Sequence, residues 1–532
     1  MKKAWKIFGV ALGLFGILTA TPTADAKRKK NEPEKILYVP QDNRPVVFDQ
    51  TIDIIEKAGY QVIVPPKEIL GGRDDLGNPD RLWEWLDRNT KKDIKAAIIS
   101  SDSMLYGSLV SSRKHQYDKQ LILERAELFR EFRKKHKKLP IYVFGSIMRT
   151  PRSGLASGYE EPDYYRHYGA NIFRYTELID KHEVEGLTPR ENKEIVFLQK
   201  LIPTNAMKDW MDRREKNFEA NEKLVDMAGE KIFNCLLLGR DDNAPYSQTH
   251  MEGRNLAKYG EKITKDKYQT IAGIDEIGLI LLTRAINDRT KNKTSVFVSY
   301  NLGTGGKTIP TYSDEPIDDS IDAEFMALGA NRAYDADSAD FILAVNTDVE
   351  GKTYEAATAA NTTTARRGTA QFVNSIKNYL KAGHSVSVAD ISFANGADNA
   401  LMEQLKNQHV LFKLNSYAGW NTATNSTGFA LASGILANKF NQHDKNQILF
   451  TRYLDDWAYQ SNVRNNVSMQ LSWMGGYGYY DLLEDKKYEA AGLCEQLLTN
   501  FVKNNLPEVT LKGKMRVQFP WNRMFESEIF FQ

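Results

Sequence analysis

Two acidic clusters are the parts of this sequence best suited to proton-transfer chemistry, because each lies just after a short apolar segment. Asp241 and Asp242 form the first cluster, and Asp275 and Glu276 form the second. Hydrolysis of a glycosidic bond uses two carboxyl groups: one protonates the leaving oxygen, and the other attacks the sugar or activates water. We predict Asp242 and Glu276 as this catalytic pair, with Asp102 as a further candidate. Capping of a following helix would also explain single acids at such positions.

Two arginines near the ends of other apolar segments are suited to binding an oxygen-rich substrate. Arg44 follows Asp42 in the sequence Asp-Asn-Arg-Pro, and Arg113 closes the sequence Ser-Ser-Arg. A guanidinium group forms paired hydrogen bonds to a carboxylate or a phosphate, and it also donates to hydroxyl groups. An Arg–Asp pair that only braces two loops would leave the same pattern, so both interpretations stay open.

The segment around Trp420 has the composition of a carbohydrate-binding surface. Trp420 is followed by Asn421, and Asn425 lies close behind. An aromatic ring covers the apolar face of a sugar while amides bond its hydroxyl groups. An indole that fills the core, beside amides that cap a helix, would fit the same residues. The predicted substrate-binding residues are Asp42, Arg44, Arg113, Asp241, Asn243, Asp275, Asp390, Asn395, Asp398, Tyr417, Trp420, Asn421 and Asn425.

Charge and motif content argue against several other kinds of site. The formal net charge is +2, and the three lysines and one aspartate among residues 1–26 account for all of it. A neutral remainder lacks the basic footprint of a nucleic-acid-binding protein. The sequence has no phosphate-binding glycine loop, no serine nucleophile elbow and no paired-histidine zinc motif. We therefore predict no cofactor, no metal site and no nucleic-acid partner, and expect a carbohydrate or other small polar substrate.

Strand-like segments and amphipathic helices alternate over residues 36–437, which predicts an α/β protein with parallel strands. The predicted strands cover residues 36–40, 61–64, 96–99, 141–144, 235–238, 270–274, 296–300, 341–345, 386–389 and 410–414. Ten strands exceed one eight-stranded barrel, so we predict two doubly wound, Rossmann- or flavodoxin-like lobes; a (β/α)8-like barrel is the alternative. Since carboxyl ends of parallel strands share one edge, the predicted site residues should converge.

The predicted domain organisation follows from where this alternation pauses. Residues 27–290 form an N-terminal lobe with a charged helical insertion at about 162–231, and residues 291–440 form a second lobe. Residues 441–532 form a helical C-terminal region, and the alternation in 509–519 predicts that it ends in an antiparallel edge strand. Cys235 lies inside an apolar segment and is predicted to be a buried thiol rather than half of a disulfide.

The first 26 residues have the pattern of a secretory signal peptide. Three lysines precede an apolar stretch over residues 7–20, and Ala24-Asp25-Ala26 fits the small-x-small cleavage rule. We predict cleavage after Ala26 and an extracytoplasmic location; an uncleaved anchor is the alternative. No second stretch of the sequence is long and apolar enough to cross a membrane.

Taken together, the motifs resemble a bacterial secreted family known only as a domain of unknown function. The motifs that carry this resemblance are Asp42-Asn43-Arg44-Pro45, Ser101-Asp102 with Tyr106-Gly107 and Ser112-Arg113, Asp241-Asp242 with Pro245-Tyr246, Gly273-Ile274-Asp275-Glu276, Asn395-Gly396-Ala397-Asp398, Tyr417-Ala418-Gly419-Trp420-Asn421-Thr422 with Asn425, and Pro520-Trp521-Asn522-Arg523. The resemblance covers nearly the whole chain after residue 26 and implies a shared set of site residues, but it implies no reaction.

These observations favour a secreted hydrolase that acts on carbohydrate, and most specifically a glycosidase working on cell-wall or extracellular glycan. Two alternatives stay open. One is a non-catalytic, two-lobed protein that binds a sugar or a carboxylate. The other is a cation-dependent hydrolase of phosphate or amide bonds.

Overall fold

Two open, parallel β-sheets form the framework of the protein. The computed structural model describes residues 32–153, 159–473 and 483–532. The predicted signal peptide, residues 1–26, lies outside the described residues. Among the described residues, no helix combines the length and the apolar character needed to span a bilayer.

The first sheet has six strands, all parallel. Its strands are β1 (Glu34–Val39), β2 (Tyr60–Ile63), β3 (Ile94–Ser100), β4 (Ile141–Ile147), β5 (Cys235–Arg240) and β6 (Tyr268–Ala272), in the order β2-β1-β3-β4-β5-β6. Strands that are covered on both faces are continuous apolar runs, and Ala96–Ile99 shows this, because all four residues are buried.

The second sheet repeats this topology. Its strands are β7 (Ser295–Tyr300), β8 (Asn331–Arg332), β9 (Phe341–Asn346), β11 (Val386–Asp390) and β13 (Ser416–Ala418), in the order β13-β11-β9-β7-β8 and again all parallel. Counted within its own lobe, each sheet therefore starts with the flavodoxin-like order 2-1-3-4-5, and the first sheet adds a sixth strand. The prediction of two doubly wound lobes is confirmed, and the barrel alternative is wrong.

Two small two-stranded sheets accompany the large ones. Strand β10 (Tyr354–Glu355) pairs in parallel with β12 (Phe393–Ala394). Strand β14 (Met515–Gln518) pairs antiparallel with β15 (Glu528–Phe531) near the end of the chain, where the alternation of residues 509–519 predicts a strand.

The predicted strand at residues 410–414 is wrong. Leu411–Lys413 form a 3₁₀ turn, and the strand of this region, β13, starts at Ser416. Val410, Leu411 and Leu414 are buried while Lys413 is exposed, a spacing that suits one helical turn. A short apolar run does not by itself distinguish a strand from a buried turn, because both remove the same side chains from water.

Helices connect the strands of the first sheet. They are α1 (Asp49–Lys57), α2 (Pro79–Asn89), α3 (Ser101–Tyr106), α4 (Leu109–Lys114), α5 (Lys119–Lys135), α6 (Tyr165–Val184), α7 (Pro189–Leu201), α8 (Thr204–Gly229), α9 (Gln248–Tyr259) and α10 (Ile277–Thr290). Helices α6–α8 lie between β4 and β5, in the charged segment that the sequence predicts to be helical.

In the described part of the remaining chain, the α-helices are α11 (Ile317–Leu328), α12 (Thr369–Lys381), α13 (Asn399–Asn407), α14 (Ala423–Leu436), α15 (Gln442–Arg452), α16 (Arg464–Trp473) and α17 (Lys487–Asn505). A π-helix, Tyr453–Val463, joins α15 to α16. Cys235 and Cys494 are both buried free thiols, which confirms the prediction for Cys235.

One apolar core is shared by the two sheets. It contains Tyr38 and Ile98 from one face of the first sheet, Leu343 from one face of the second, and the buried side chains of α10 and α14. Every residue of α10 from Ile277 to Asn287 is buried. A helix that is buried on all sides lies inside a core rather than on its surface. The two lobes are therefore joined through a continuous apolar interior.

Candidate functional site

A cleft of about 280 Å³ lies where loops from both sheets meet. The loops belong to the carboxyl ends of strands, which is where doubly wound proteins bind ligands. Of the predicted site residues, those that line the cleft are Arg44, Arg113, Asp241, Asp242, Asn243, Asp275, Asn395 and Asn421. The predicted convergence thus holds for residues from both lobes.

Arg44 and Asp275 form the floor of the cleft. Arg44 donates from Nη1 to Oδ2 of Asp275 at 3.0 Å and from Nη2 to Oδ1 at 2.5 Å, and its Nε donates to Asp42 at 3.0 Å. Asn421, from the second lobe, donates from Nδ2 to Oδ2 of Asp275 at 2.9 Å. Burial raises the pKa of Asp275, although the charge of Arg44 acts against this rise. Asp42 does not line the cleft but holds Arg44 in place.

Three more arginines surround Glu160 at one wall of the cleft. Arg113 donates to Glu160 at 2.6 Å, and Arg523 donates to it at 2.7 Å. Arg149 lies 3.4 Å from the same carboxylate. Burial opposes ionisation of Glu160, yet the charges of Arg149, Arg523 and Arg113 hold its pKa well below the ordinary value. Because these charges are buried and mutually paired, the wall has a fixed geometry.

Asp241 and Asp242 both line the cleft but accept hydrogen bonds from different arginines. Asp241 accepts a short hydrogen bond from Arg113, whereas Asp242 accepts one from Arg149 at 2.6 Å. The side chain of Asp242 is 24% exposed and that of Asp241 is 8% exposed, so Asp242 is the more accessible of the two. Burial and the charge of Asp241 raise the pKa of Asp242 to about 6, although Arg149 opposes the rise.

The backbone at Asp242 has a φ of +35°, outside the usual range for a residue with a side chain. Conformations of this kind cost free energy and persist where the surrounding contacts fix them. The ion pair with Arg149 supplies such a contact. From this turn, Asp242 lines the cleft.

Asp102 and Glu276, two of the three predicted catalytic acids, do not line the cleft. Asp102 accepts hydrogen bonds from the backbone N–H and the hydroxyl of Ser146 at 2.8 and 3.0 Å. Burial raises the pKa of Asp102 to about 7, although these hydrogen bonds oppose the rise. Glu276 lies in the shared core, where no described side chain donates a hydrogen bond to its carboxyl group. Its burial raises its pKa well above the ordinary value.

Part of the predicted set from the second lobe forms a buried network behind the cleft. Tyr417 donates to Asp390 at 2.8 Å, and Asn346 donates to Asp390 at 2.9 Å and to Asp398 at 3.1 Å. Burial and the charge of Asp398 raise the pKa of Asp390 to about 7. Asp398 also caps α13 by accepting from Ala400 N–H at 2.9 Å. Asp390, Asp398 and Tyr417 thus form a buried hydrogen-bond network with Asn346, and none of the three lines the cleft.

Trp420 and Asn425 are also placed in the interior. Trp420 is 4% exposed, and its ring packs 5.9 Å from that of Phe525. Asn425 is 2% exposed and lies in the first turn of α14. Among the described residues, the aromatic side chains that line the cleft are Tyr312 and Phe525, neither of which belongs to the predicted set.

The other residues of the site that the sequence did not predict differ in whether a sequence pattern could have identified them. Arg149 follows strand β4, so the same strand-end rule that selects Arg44 would have found it. Glu160 and Glu161 lie in a loop with no distinguishing pattern. Arg523 is far from the others in sequence, and only a fold brings it to Glu160.

Two asparagine side chains at the cleft have carbonyl oxygens that no described residue bonds. Asn421 and Asn395 each use their Nδ2 group, toward Asp275 and Glu355. In the described part of the chain, no hydrogen bond is made to their Oδ1 atoms, so two carbonyl acceptors at the cleft are available to a ligand. Within the same part, no three or more His, Cys, Asp or Glu side chains are grouped so as to hold a metal ion.

Comparison with known proteins gives a family but no activity. No curated protein and no solved structure matches this chain. The family described as "Protein of unknown function (DUF4127)" matches residues 36–529, a range that includes every strand but the ends of β1 and β15 and all of the cleft. The chain therefore belongs to the DUF4127 family.

Proposed function

We propose that this protein is a hydrolase that acts on carbohydrate, with Asp242 as the residue that transfers a proton to and from the glycosidic oxygen. The observation that carries the proposal is the position of Asp242, a partly exposed carboxyl group in the cleft with a pKa of about 6. A general acid works best when its pKa lies near the working pH, because both protonation states are then available.

Asp241 is the candidate for the second carboxyl group. It lines the same cleft and pairs with Arg113, whose positive charge favours the ionised form of a carboxyl group. In glycoside hydrolysis the ionised group attacks the sugar or activates water while the protonated group donates. Asp241 thus takes the role that the sequence analysis gave to Glu276, which lies outside the cleft.

The other groups of the cleft suit a substrate rich in hydroxyl groups. The Oδ1 atoms of Asn395 and Asn421 accept hydrogen bonds, and the arginines donate them. Tyr312 and Phe525 offer aromatic surface for the apolar face of a sugar ring. The lining includes both acids and arginines, so a neutral or weakly charged glycan is a better match than a polyanion.

The connection between the lobes favours a hydrolase over a two-lobed binding protein. Binding proteins of that type open and close about a hinge. Here α10 and α14 share one buried core, and Arg523 and Asn421 link the lobes and the C-terminal region across the cleft. Such a rigid cleft suits catalysis, which needs fixed groups.

The test compares the natural protein with Asp242→Asn on purified peptidoglycan and on soluble glycans. We expect reducing ends to be released by the natural protein but not by the variant, while calorimetry detects glycan fragments binding to both. Asp337→Asn is the matched control, because the Asp337 side chain is 93% exposed and away from the cleft. Full activity in Asp242→Asn, or binding by the natural protein without release from any glycan, would contradict the proposal.

A further inference from the structure

A strongly basic surface lies at the opposite edge of the first sheet from the cleft. It consists of two adjoining concavities of about 680 Å³ each, which share Lys137; we call this surface the basic face. Its cations are Lys91, Lys92, Lys95, Lys134, Lys135, Lys137, Lys138 and Arg289 in the first concavity, and Arg133, Lys137, Lys231, Lys262 and Lys267 in the second. Among the described residues, no Asp or Glu lines either concavity.

The basic face is formed by the turns that lead into the strands. Lys91 and Lys92 precede β3, and Lys137 and Lys138 precede β4. Because amino ends of parallel strands share one edge, these turns come together there, as the carboxyl ends do at the cleft. A protein whose net charge is only +2 thus has a local concentration of positive charge.

Stabilisation of helix ends explains the presence of only some of these cations. Arg133, Lys134 and Lys135 occupy the last turn of α5, where cations are favoured by the helix dipole. Lys92 and Lys138 lie beyond the ends of helices, where that effect has faded. They are exposed to solvent and hold no position in the core.

Local ion pairing also leaves much of the charge uncompensated. Lys134 pairs with Glu131 at 2.7 Å, Lys135 with Asp87 at 2.6 Å and Lys267 with Asp266 at 3.5 Å, and Arg289 pairs with Glu34. Among the described residues, no ion pair is formed by Lys91, Lys92, Lys95, Lys137 or Lys138. Like charges held this close repel one another, so an anionic partner would lower the free energy of the face.

We propose that the basic face binds a linear polymer whose charges are phosphate groups. Lysine ammonium groups act as point charges that bind phosphate without the fixed two-pronged geometry of arginine. Lysines dominate the face, and two connected concavities provide a path along which a flexible chain can lie. The proposal concerns a surface outside the cleft and does not depend on the reaction there.

Two other anionic partners fit the face less well. A membrane surface is flat, and proteins that bind one usually insert exposed apolar side chains. Proteins that bind single-stranded nucleic acid stack bases on exposed aromatic rings. None of the exposed large apolar or aromatic residues of the described chain lines the basic face.

The test measures the binding of fluorescent long-chain polyphosphate to the full chain by anisotropy, at about 50 and 200 mM salt. The variant is Lys91→Gln/Lys92→Gln/Lys137→Gln/Lys138→Gln. The matched control is Lys193→Gln/Lys200→Gln/Lys503→Gln/Lys512→Gln, which removes four exposed lysines elsewhere. Unchanged circular dichroism and thermal unfolding establish that each variant is folded.

We expect the basic-face variant to bind about tenfold more weakly or worse at low salt, because it loses up to four phosphate contacts. The slope of its plot of log affinity against log salt concentration should be smaller in magnitude by up to about 3, since each lost contact contributes roughly 0.7 to that slope. The control should bind as the natural protein does. Equal binding by the basic-face variant, or equal loss in the control, would overturn the proposal.

Two further probes separate the partner classes. Vesicles of phosphatidylglycerol and phosphatidylcholine and a homopolymeric single-stranded oligonucleotide are titrated at matched phosphate concentration. Weaker binding of both than of polyphosphate supports a phosphate polymer. Binding of either one about tenfold more tightly than polyphosphate would overturn it in favour of a membrane or a nucleic acid.

Discussion

Asn421 donates a hydrogen bond from its Nδ2 group to Oδ2 of Asp275 at 2.9 Å. The two residues follow the last strands of different sheets, β13 and β6. Asp275 also holds Arg44, so this one amide ties the second lobe to the charged floor of the cleft.

Replacement of Asn421 should lower the stability of the protein, because the hydrogen bond between the lobes is lost. We expect Asn421→Gly to lower the free energy of unfolding by about 1–2 kcal/mol, because buried Asp275 loses a donor. Asn421→Ala should cost about 1 kcal/mol more, since φ is +62° at this position and a β-carbon is strained there. Urea unfolding measures both. Equal stability of the two variants would show that backbone strain is unimportant at this turn.

The pH dependence of turnover should report Asp242. With a pKa of about 6, the proton that it donates is lost above that pH, so kcat/KM should fall about tenfold per pH unit on the alkaline side. Arg149 opposes the raised pKa of Asp242, so Arg149→Gln should move this limb to higher pH, whereas Arg149→Lys should move it less. If the alkaline limb of the kcat/KM profile falls at the same pH in Arg149→Gln as in the natural protein, the titrating group is not Asp242.

The buried acids Glu276 and Glu324 should make the protein less stable as pH rises. Burial raises the pKa of both well above the ordinary value, so the folded state keeps protons that the unfolded chain releases above about pH 4.5. Each carboxyl group should lower the free energy of unfolding by up to about 1.4 kcal/mol per pH unit over that range.

Glu276→Gln should remove its share of this slope and stabilise the protein near pH 8. Urea unfolding at several pH values measures the effect. Glu324→Gln is the companion variant, because Glu324 accepts from Thr427 at 2.7 Å in the same core. A slope that neither substitution changes would mean that both groups ionise in the folded protein.

The buried arginine cluster should be sensitive to the loss of one member. Arg523 donates to Glu160 at 2.7 Å and to Glu526 at 2.5 Å. Arg523→Met removes both hydrogen bonds from buried carboxylates, so we expect the free energy of unfolding to fall by about 3 kcal/mol or more. Adding Glu526→Gln to this variant should restore part of the lost free energy of unfolding, because one uncompensated buried charge is removed. A double-mutant cycle by chemical denaturation gives the coupling, and an additive result would contradict the buried-network interpretation.

The alternation of strands and helices was enough to predict both lobes, and the strand-end rule was enough to place Arg44, Asp242 and Asn421 at one cleft. That rule could not tell which of the neighbours Asp275 and Glu276 lines the cleft. These neighbours precede α10, and which of them faces the cleft depends on how that helix lies in the core. For Trp420 the sequence left both a sugar-binding ring and a core-filling ring open, and the fold places the ring in the shared core, where it packs against Phe525.

Helix α10 has a consequence for how this chain can be divided. It follows the last strand of the first sheet, yet its buried surface is completed by α11 and α14 of the second lobe. If the halves were expressed as separate fragments, each would expose to water the apolar surface that now separates the sheets. We therefore expect such fragments to aggregate when made alone and to regain solubility when they are co-expressed.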